Sequence, residues 1–103
     1  RVEILVGTTY GADPNRVLEI LRECASELDY AIREREPLAL FTEFGESSLN
    51  FRLYVWVTDL SNILVVPSRI RQAILDKLAA ANITVPFPQR DVRIITPPDA
   101  HLP

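Results

Sequence analysis

The chain reads as an α+β fold, a four-stranded antiparallel sheet carrying two helices on one face. Three observations predict it. Four short segments alternate apolar and polar residues and are rich in β-branched and aromatic types, the signature of half-buried strands. Two longer segments repeat apolar residues at helical spacing. Their order along the chain is β-α-β-β-α-β, which brings both helices back to one sheet. At 103 residues, with 48% hydrophobic and 24% charged, the chain suits a single globular domain rather than a disordered segment.

The opening "RVEILVGTTY" alternates Val2, Ile4 and Val6 against Glu3 and Gly7, predicting a strand over residues 2–10. "GADP" stops it. Asp13 is a good N-cap, and Pro14 suits the first helical position, where a missing N–H costs nothing. Val17, Ile20, Leu21, Cys24, Ala25 and Leu28 then form one apolar stripe. The charge run "REREP", Arg33 to Pro37, reads as a solvated loop before the next strand.

"LALFTEF" and "SLNFRLYVWV" are two strand patterns joined through "GES", where Gly45 is expected to supply a positive φ. The second helix, "SRIRQAILDKLAAAN", starts at Pro67 or Ser68 and turns Ile70, Ala73, Ile74, Leu78 and Ala81 one way. Asn82 stands where a left-handed C′ residue belongs. The last strand is "DVRIIT", with Val92 and Ile94 on one side. This is the ferredoxin-like split βαβ arrangement, and right-handed crossovers are expected to set the first and last strands in mid-sheet. Residues 1–96 form the domain and 97–103 a poorly ordered tail.

One sheet face is unusual. Leu49, Phe51, Leu53, Val55 and Val57 point toward the helices, so Asn50, Arg52, Tyr54 and Trp56 occupy the opposite face, which has no third layer to cover it. Leu38 and Leu40 widen that patch. Trp, Tyr and Arg are enriched at interface hot spots, so Arg52, Tyr54 and Trp56 are candidate interface residues. The competing reading is that cross-strand pairs merely stabilise an exposed sheet. "TVPFPQRDV" adds a fourth candidate, Phe87. Pro86 and Pro88 lack the N–H that a ladder needs and favour an extended polyproline-like path that holds Phe87 at a fixed position. Phe87 either docks on a neighbour or caps this domain's own core.

The remaining residues point away from chemistry. The net charge of −3 and the lack of a basic tract argue against nucleic acid and anionic membrane surfaces. A single cysteine excludes an intramolecular disulfide. Apolar runs such as "ILVV" are far short of a membrane span. The chain starts at Arg1 and contains no methionine, which suggests a domain of a longer chain. The only histidine, His101, lies in the tail, Cys24 on the apolar stripe, and Ser47 and Ser48 at the hairpin. Glu43 and Glu46 flank that hairpin, and "GTTYGAD" lacks phosphate-loop spacing. No enzyme activity, metal or cofactor is expected. An RNA-recognition module would place stacking aromatics at Tyr54 and Trp56, but its Gly-aromatic-Gly pattern is absent from "NFRLYVWV".

Two stretches reach further. Gly45, Ser47, Ser48, Leu49, Asn50 and Phe51 form a Gly-x-Ser-Ser-aliphatic-Asn-Phe hairpin, followed by Val55-Trp56. Val85, Pro86, Phe87, Pro88 and Gln89 form an aliphatic–Pro–aromatic–Pro–Gln segment closed by Asp91-Val92. Together, at these positions in a βαββαβ frame, they resemble the cytoplasmic carboxy-terminal domain of the small-conductance mechanosensitive channel family. The resemblance runs from "YGADPNRV" to residue 95, with Asn82 in place of the usual glycine and Phe87 where tyrosine is common.

The resemblance implies a non-enzymatic domain on the cytoplasmic side of an inner-membrane protein. Family members are ring-shaped homo-oligomers, typically heptamers, that release ions and small solutes under membrane tension in hypo-osmotic shock. This domain would form cage walls for assembly and solute filtering. It would reach the membrane only through transmembrane parts outside this chain, bind no nucleic acid, and be monomeric or weakly associated alone. A ferredoxin-like ligand-sensing regulatory domain is the alternative, although "GTTYGAD" is a poor match to its Gly-rich turn. An acylphosphatase-like hydrolase needs arginine and asparagine in the first loop, whereas Asn15 and Arg16 fall in the helix.

Overall fold

The computed structural model describes residues 1–28, 35–57 and 63–86. In chain order these form β1 (Val2–Thr8), α1 (Pro14–Ser26), β2 (Leu38–Phe44), β3 (Leu49–Val55) and α2 (Val65–Ala80). The three described strands form one antiparallel sheet in the order β1-β3-β2. Among the described residues β3 lies between two neighbours and β1 has one, β3. The expected fourth strand, "DVRIIT", and the expected tail lie outside the described residues, as do Phe87, Pro88, Gln89, Asp91 and His101.

β1 ends at Thr8, two residues earlier than the alternation suggests. From Thr9 on, the backbone serves other elements. The Thr9 N–H donates to Thr84 O at 3.0 Å, and Ala12 N–H to Thr9 O at 3.2 Å. Asp13 caps α1 as expected, its carboxylate accepting from the Asn15 N–H at 3.0 Å, with Pro14 in the first turn. Val17, Ile20, Leu21, Cys24 and Ala25 are buried along the predicted stripe.

Helix α2 begins at Val65, before the expected Pro67 or Ser68. Pro67 is its third residue, where the N–H would have no intrahelical partner, so the ring costs no hydrogen bond. The other end fulfils the prediction for Asn82, which has φ 59°. Its N–H donates to Ala79 O at 3.0 Å and that of Ile83 to Leu78 O at 2.8 Å, the paired bonds of a Schellman cap. Ile83 packs against the core, completing the cap's apolar contact.

Both helices cover one sheet face. Ile4, Phe51, Leu53, Val55, Ile20, Leu21, Ile70 and Leu78 are at most 1% exposed and meet there. Burying each such side chain contributes about 1.5–3 kcal/mol, which makes this layer the main source of stability. Phe51 stacks on Phe41 with ring centroids 5.1 Å apart. Cys24 is packed in the same layer, and burial pushes its thiol pKa from the ordinary 9.0 up to about 11.

Candidate functional site

Alternation on three paired strands builds the open face in rows. Glu3, Tyr54 and Leu38 lie side by side, as do Leu5, Arg52 and Leu40. A β-bulge between Phe41 and Glu43 absorbs Thr42, so Glu43 faces Asn50 and Gly7 in the third row. The expected open-face set of Asn50, Arg52 and Tyr54 is thus in place, widened by Leu38 and Leu40 as the sequence indicated.

Charge organises the upper rows. One Glu3 oxygen, Oε2, accepts from Arg52 Nη1 at 2.9 Å and from the Tyr54 hydroxyl at 2.9 Å. The Tyr54 hydroxyl and then Glu3 raise the Arg52 pKa above its usual value, so its charge is fixed. The Arg1 guanidinium lies 4.6 Å from the Tyr54 ring centroid, and that of Arg35 lies 4.7 Å from the Trp56 ring. Tyr54 and Trp56 are therefore half-buried, each with a cation over its ring. The freely exposed apolar surface belongs instead to leucines. Leu5 is 67% exposed, Leu38 44% and Leu40 40%.

The sequence reading missed Glu3 and Leu5. Glu3 sits in "RVEILVG" as the polar half of an alternation, and Leu5 is a large apolar residue at the outward parity of the same strand. That out-of-phase leucine was the available signal. Arg1 and Arg35 carried none, since only the fold brings them over the two rings.

The hairpin signature anchors the lower row. The Gly45 N–H donates to Ser48 O at 2.7 Å, Ser48 Oγ to Asn50 Oδ1 at 2.6 Å, and Asn50 Nδ2 to Glu43 Oε1 at 3.4 Å. The Thr42 hydroxyl donates to Asn50 O at 3.1 Å across the bulge. Gly45 does not have the expected positive φ. Its requirement is close approach: a Cβ there would lie 2.7 Å from Asn50 Nδ2 and 2.8 Å from Ser48 O. The Tyr10 hydroxyl also donates to Gly45 O, tying the loop after β1 to the hairpin. Ser47 is exposed, Ser48 and Asn50 half-buried, Phe51 buried and Pro86 half-buried. Four residues of the motif thus hold the hairpin or fill the core.

A shallow depression of about 260 Å³ on this face is lined by Leu5, Gly7, Thr42, Glu43, Asn50 and Arg52. It presents two charges and no nucleophile paired with a base. On the helical side, Lys77 bridges α2 to α1 through Glu27 at 3.2 Å and Glu23 at 3.7 Å, and the bond to Glu27 raises its pKa. Arg16 pairs with Glu19 within α1. These are solvated ion pairs, worth little individually. Among the described residues, no three His, Cys, Asp or Glu side chains cluster as metal ligands would, and no helix is long and apolar enough to cross a membrane.

Two helices on one side of an antiparallel sheet, with apolar and charged residues on the other, define a two-layer α+β domain. The family described as "Mechanosensitive ion channel MscS, C-terminal" matches residues 2–85, and the chain belongs to it. It is 32% identical over 97 residues to an uncharacterised MscS family protein of Synechocystis, covering 94% of this chain and 32% of that protein. It is 30% identical over 94 residues to the small-conductance mechanosensitive channel of Helicobacter pylori, covering 91% of this chain and 34% of the channel. In the crystal structure of H. pylori MscS in its closed state, the superposition has a TM-score of 0.78. It covers 90% of this chain and 37% of that one at 29% identity. The chain therefore spans about a third of those relatives.

Proposed function

We propose that this chain is the cytoplasmic, cage-forming domain of a mechanosensitive channel that releases ions and small solutes when membrane tension rises in hypo-osmotic shock. The observation that carries this reading is the match of residues 2–85 to the C-terminal domain of the channel family. The structure adds a physical reason. A sheet face displaying exposed Leu5, Leu38 and Leu40 around the Glu3–Arg52–Tyr54 cluster offers apolar surface that association would cover. Arg52, Tyr54 and Trp56, joined by Phe87, dock this face on a neighbouring subunit or on a preceding domain of the channel. The full-length protein is a homo-oligomeric ring, heptameric in this reading. Within it the domain contributes assembly contacts and a solute-filtering wall, and it performs no catalysis. Alone, the domain is monomeric or weakly associated, because ring closure draws on several contacts at once.

A chimera tests this. Residues 1–103 replace the corresponding domain of the H. pylori channel, expressed in bacteria without mechanosensitive channels of their own. Restored survival of osmotic downshock, with tension-gated current in excised patches, supports the reading. A chimera that reaches the membrane as a stable oligomer yet never gates under tension overturns it.

A further inference from the structure

Gly7 stands where a strand gains least from glycine. It lies inside β1 opposite Asn50 of β3, on the open face. A glycine there forgoes side-chain packing and loses more backbone freedom on folding than any other residue. Neither usual reason for it applies. Among the described residues no glycine has a positive φ. A Cβ at Gly7 would lie 3.6 Å from Asn50 Oδ1 and from Ser48 Cβ and Oγ, which is ordinary contact. What the missing side chain leaves is space, the floor of the depression of about 260 Å³. Glycine inside a strand often marks a place where a ligand comes close to the backbone.

Three kinds of chemistry flank that floor. Arg52, one row up, donates to Glu3 through Nη1 at 2.9 Å. A guanidinium carries further N–H groups that can fork onto a carboxylate. Glu43 stands on the β2 side, opposite Asn50, whose Nδ2 reaches it only at 3.4 Å. Its carboxylate can therefore take a stronger, charged donor. Leu5, 67% exposed, adds an apolar wall. Arg52 and Glu43 occupy neighbouring rows of neighbouring strands, a diagonal of about 7–8 Å, so a small molecule fits between the two charges.

The charges also select. A simple anion is repelled by Glu43 and Glu3, and a simple cation by Arg52, whereas a molecule with both charges meets each with its opposite. Sites that enclose drug-sized molecules measure about 300–1,000 Å³, so the occupant here is smaller than those. We infer that the depression binds a small amino acid with an apolar side chain. The carboxylate pairs with Arg52, the ammonium with Glu43, and the side chain lies against Leu5 above Gly7. Every lining residue belongs to β1, β2 or β3. A shallow, solvated site of this kind binds weakly, on the order of 1–10 mM. This inference goes beyond the channel reading and does not depend on it.

Amide NMR titration of the 103-residue chain with L-valine tests it, since the chain encloses a core of its own. The expected result is saturable shifts centred on Gly7, Glu43, Asn50 and Arg52. Isovalerate, which lacks the ammonium, and isobutylamine, which lacks the carboxylate, are expected to bind several-fold more weakly. Glu43→Gln and Arg52→Gln, both at exposed positions, should each weaken valine binding several-fold. Gly7→Val should fill the floor and abolish the shifts while the amides of α1 and α2 stay in place. No saturable shift at tens of millimolar overturns the inference, as does equal binding of isovalerate or isobutylamine. A Glu43→Gln variant that binds valine as the parent does overturns it too. Each of these failures leaves the channel reading standing.

Discussion

Strand β3 places two sets of side chains a few ångströms apart and commits them to different ends. On one face Leu49, Phe51, Leu53 and Val55 are buried beneath two helices. On the other, Arg52 is exposed while Asn50 and Tyr54 are half-buried among hydrogen bonds and a stacked guanidinium. The buried side holds shape through apolar area. The open side satisfies its polar atoms internally and leaves leucines in water. A strand can therefore be essential to folding at one residue and nearly dispensable for it at the next, since side chains alternate with period two.

The sharpest way to break this comparison is to cut both faces of β3 in turn. Phe51→Ala removes a ring that is 1% exposed and stacked on Phe41, and is expected to cost about 3–5 kcal/mol in urea unfolding of the 103-residue chain. Tyr54→Ala on the opposite face is expected to cost about 1 kcal/mol. Equal losses at the two positions would erase the distinction.

Next in size is the hairpin that carries the strand into the sheet. Gly45→Ala pushes a methyl into Ser48 O and Asn50 and is expected to cost about 1–3 kcal/mol. A Cβ at Gly11 meets nothing within 4 Å, so Gly11→Ala should stay within about 0.5 kcal/mol in the same melt. Smaller again is Asn82→Ala, which places a β-carbon at φ 59° without the polar side chain that eases that conformation. About 1 kcal/mol is expected.

Cys24 gives the gentlest probe of the buried side. Its folded pKa, about 11, lies above the ordinary 9.0, so the folded state holds the thiol proton longer than the unfolded chain does. Its contribution is fully present below pH 9, and stability falls as pH climbs from 9.0 toward about 11. Below pH 9 a thiol reagent should label Cys24 only as fast as the domain unfolds. Rapid labelling of the native state would show that the layer is not closed.

Much of this was legible in the residues. The α1 stripe, the Asp13–Pro14 start, the inward set of β3 and the left-handed Asn82 all follow from spacing or local conformational preference, and each appears in the structure. The start of α2 was misplaced because its first turn tolerates proline, so Pro67 marks the third residue and not the boundary. Gly45 was recognised for the wrong reason. The constraint is the close approach of Ser48 O and the Asn50 side chain within the hairpin itself, which a rule about φ alone does not contain. The open face was legible as a parity but not as a network. Glu3 lies 49 residues from Arg52 and meets it only once β1 and β3 are in register.

The central claim is that the open face serves association and not folding. Leu40→Asp tests it most directly, because Leu40 lies beside Arg52 and is 40% exposed. The quantity to measure is the native mass of the full-length protein in detergent, set against the urea midpoint of the 103-residue chain. The account predicts that the oligomer dissociates while the midpoint stays where it was. An intact oligomer, or a midpoint that falls as far as that of Phe51→Ala, would contradict it.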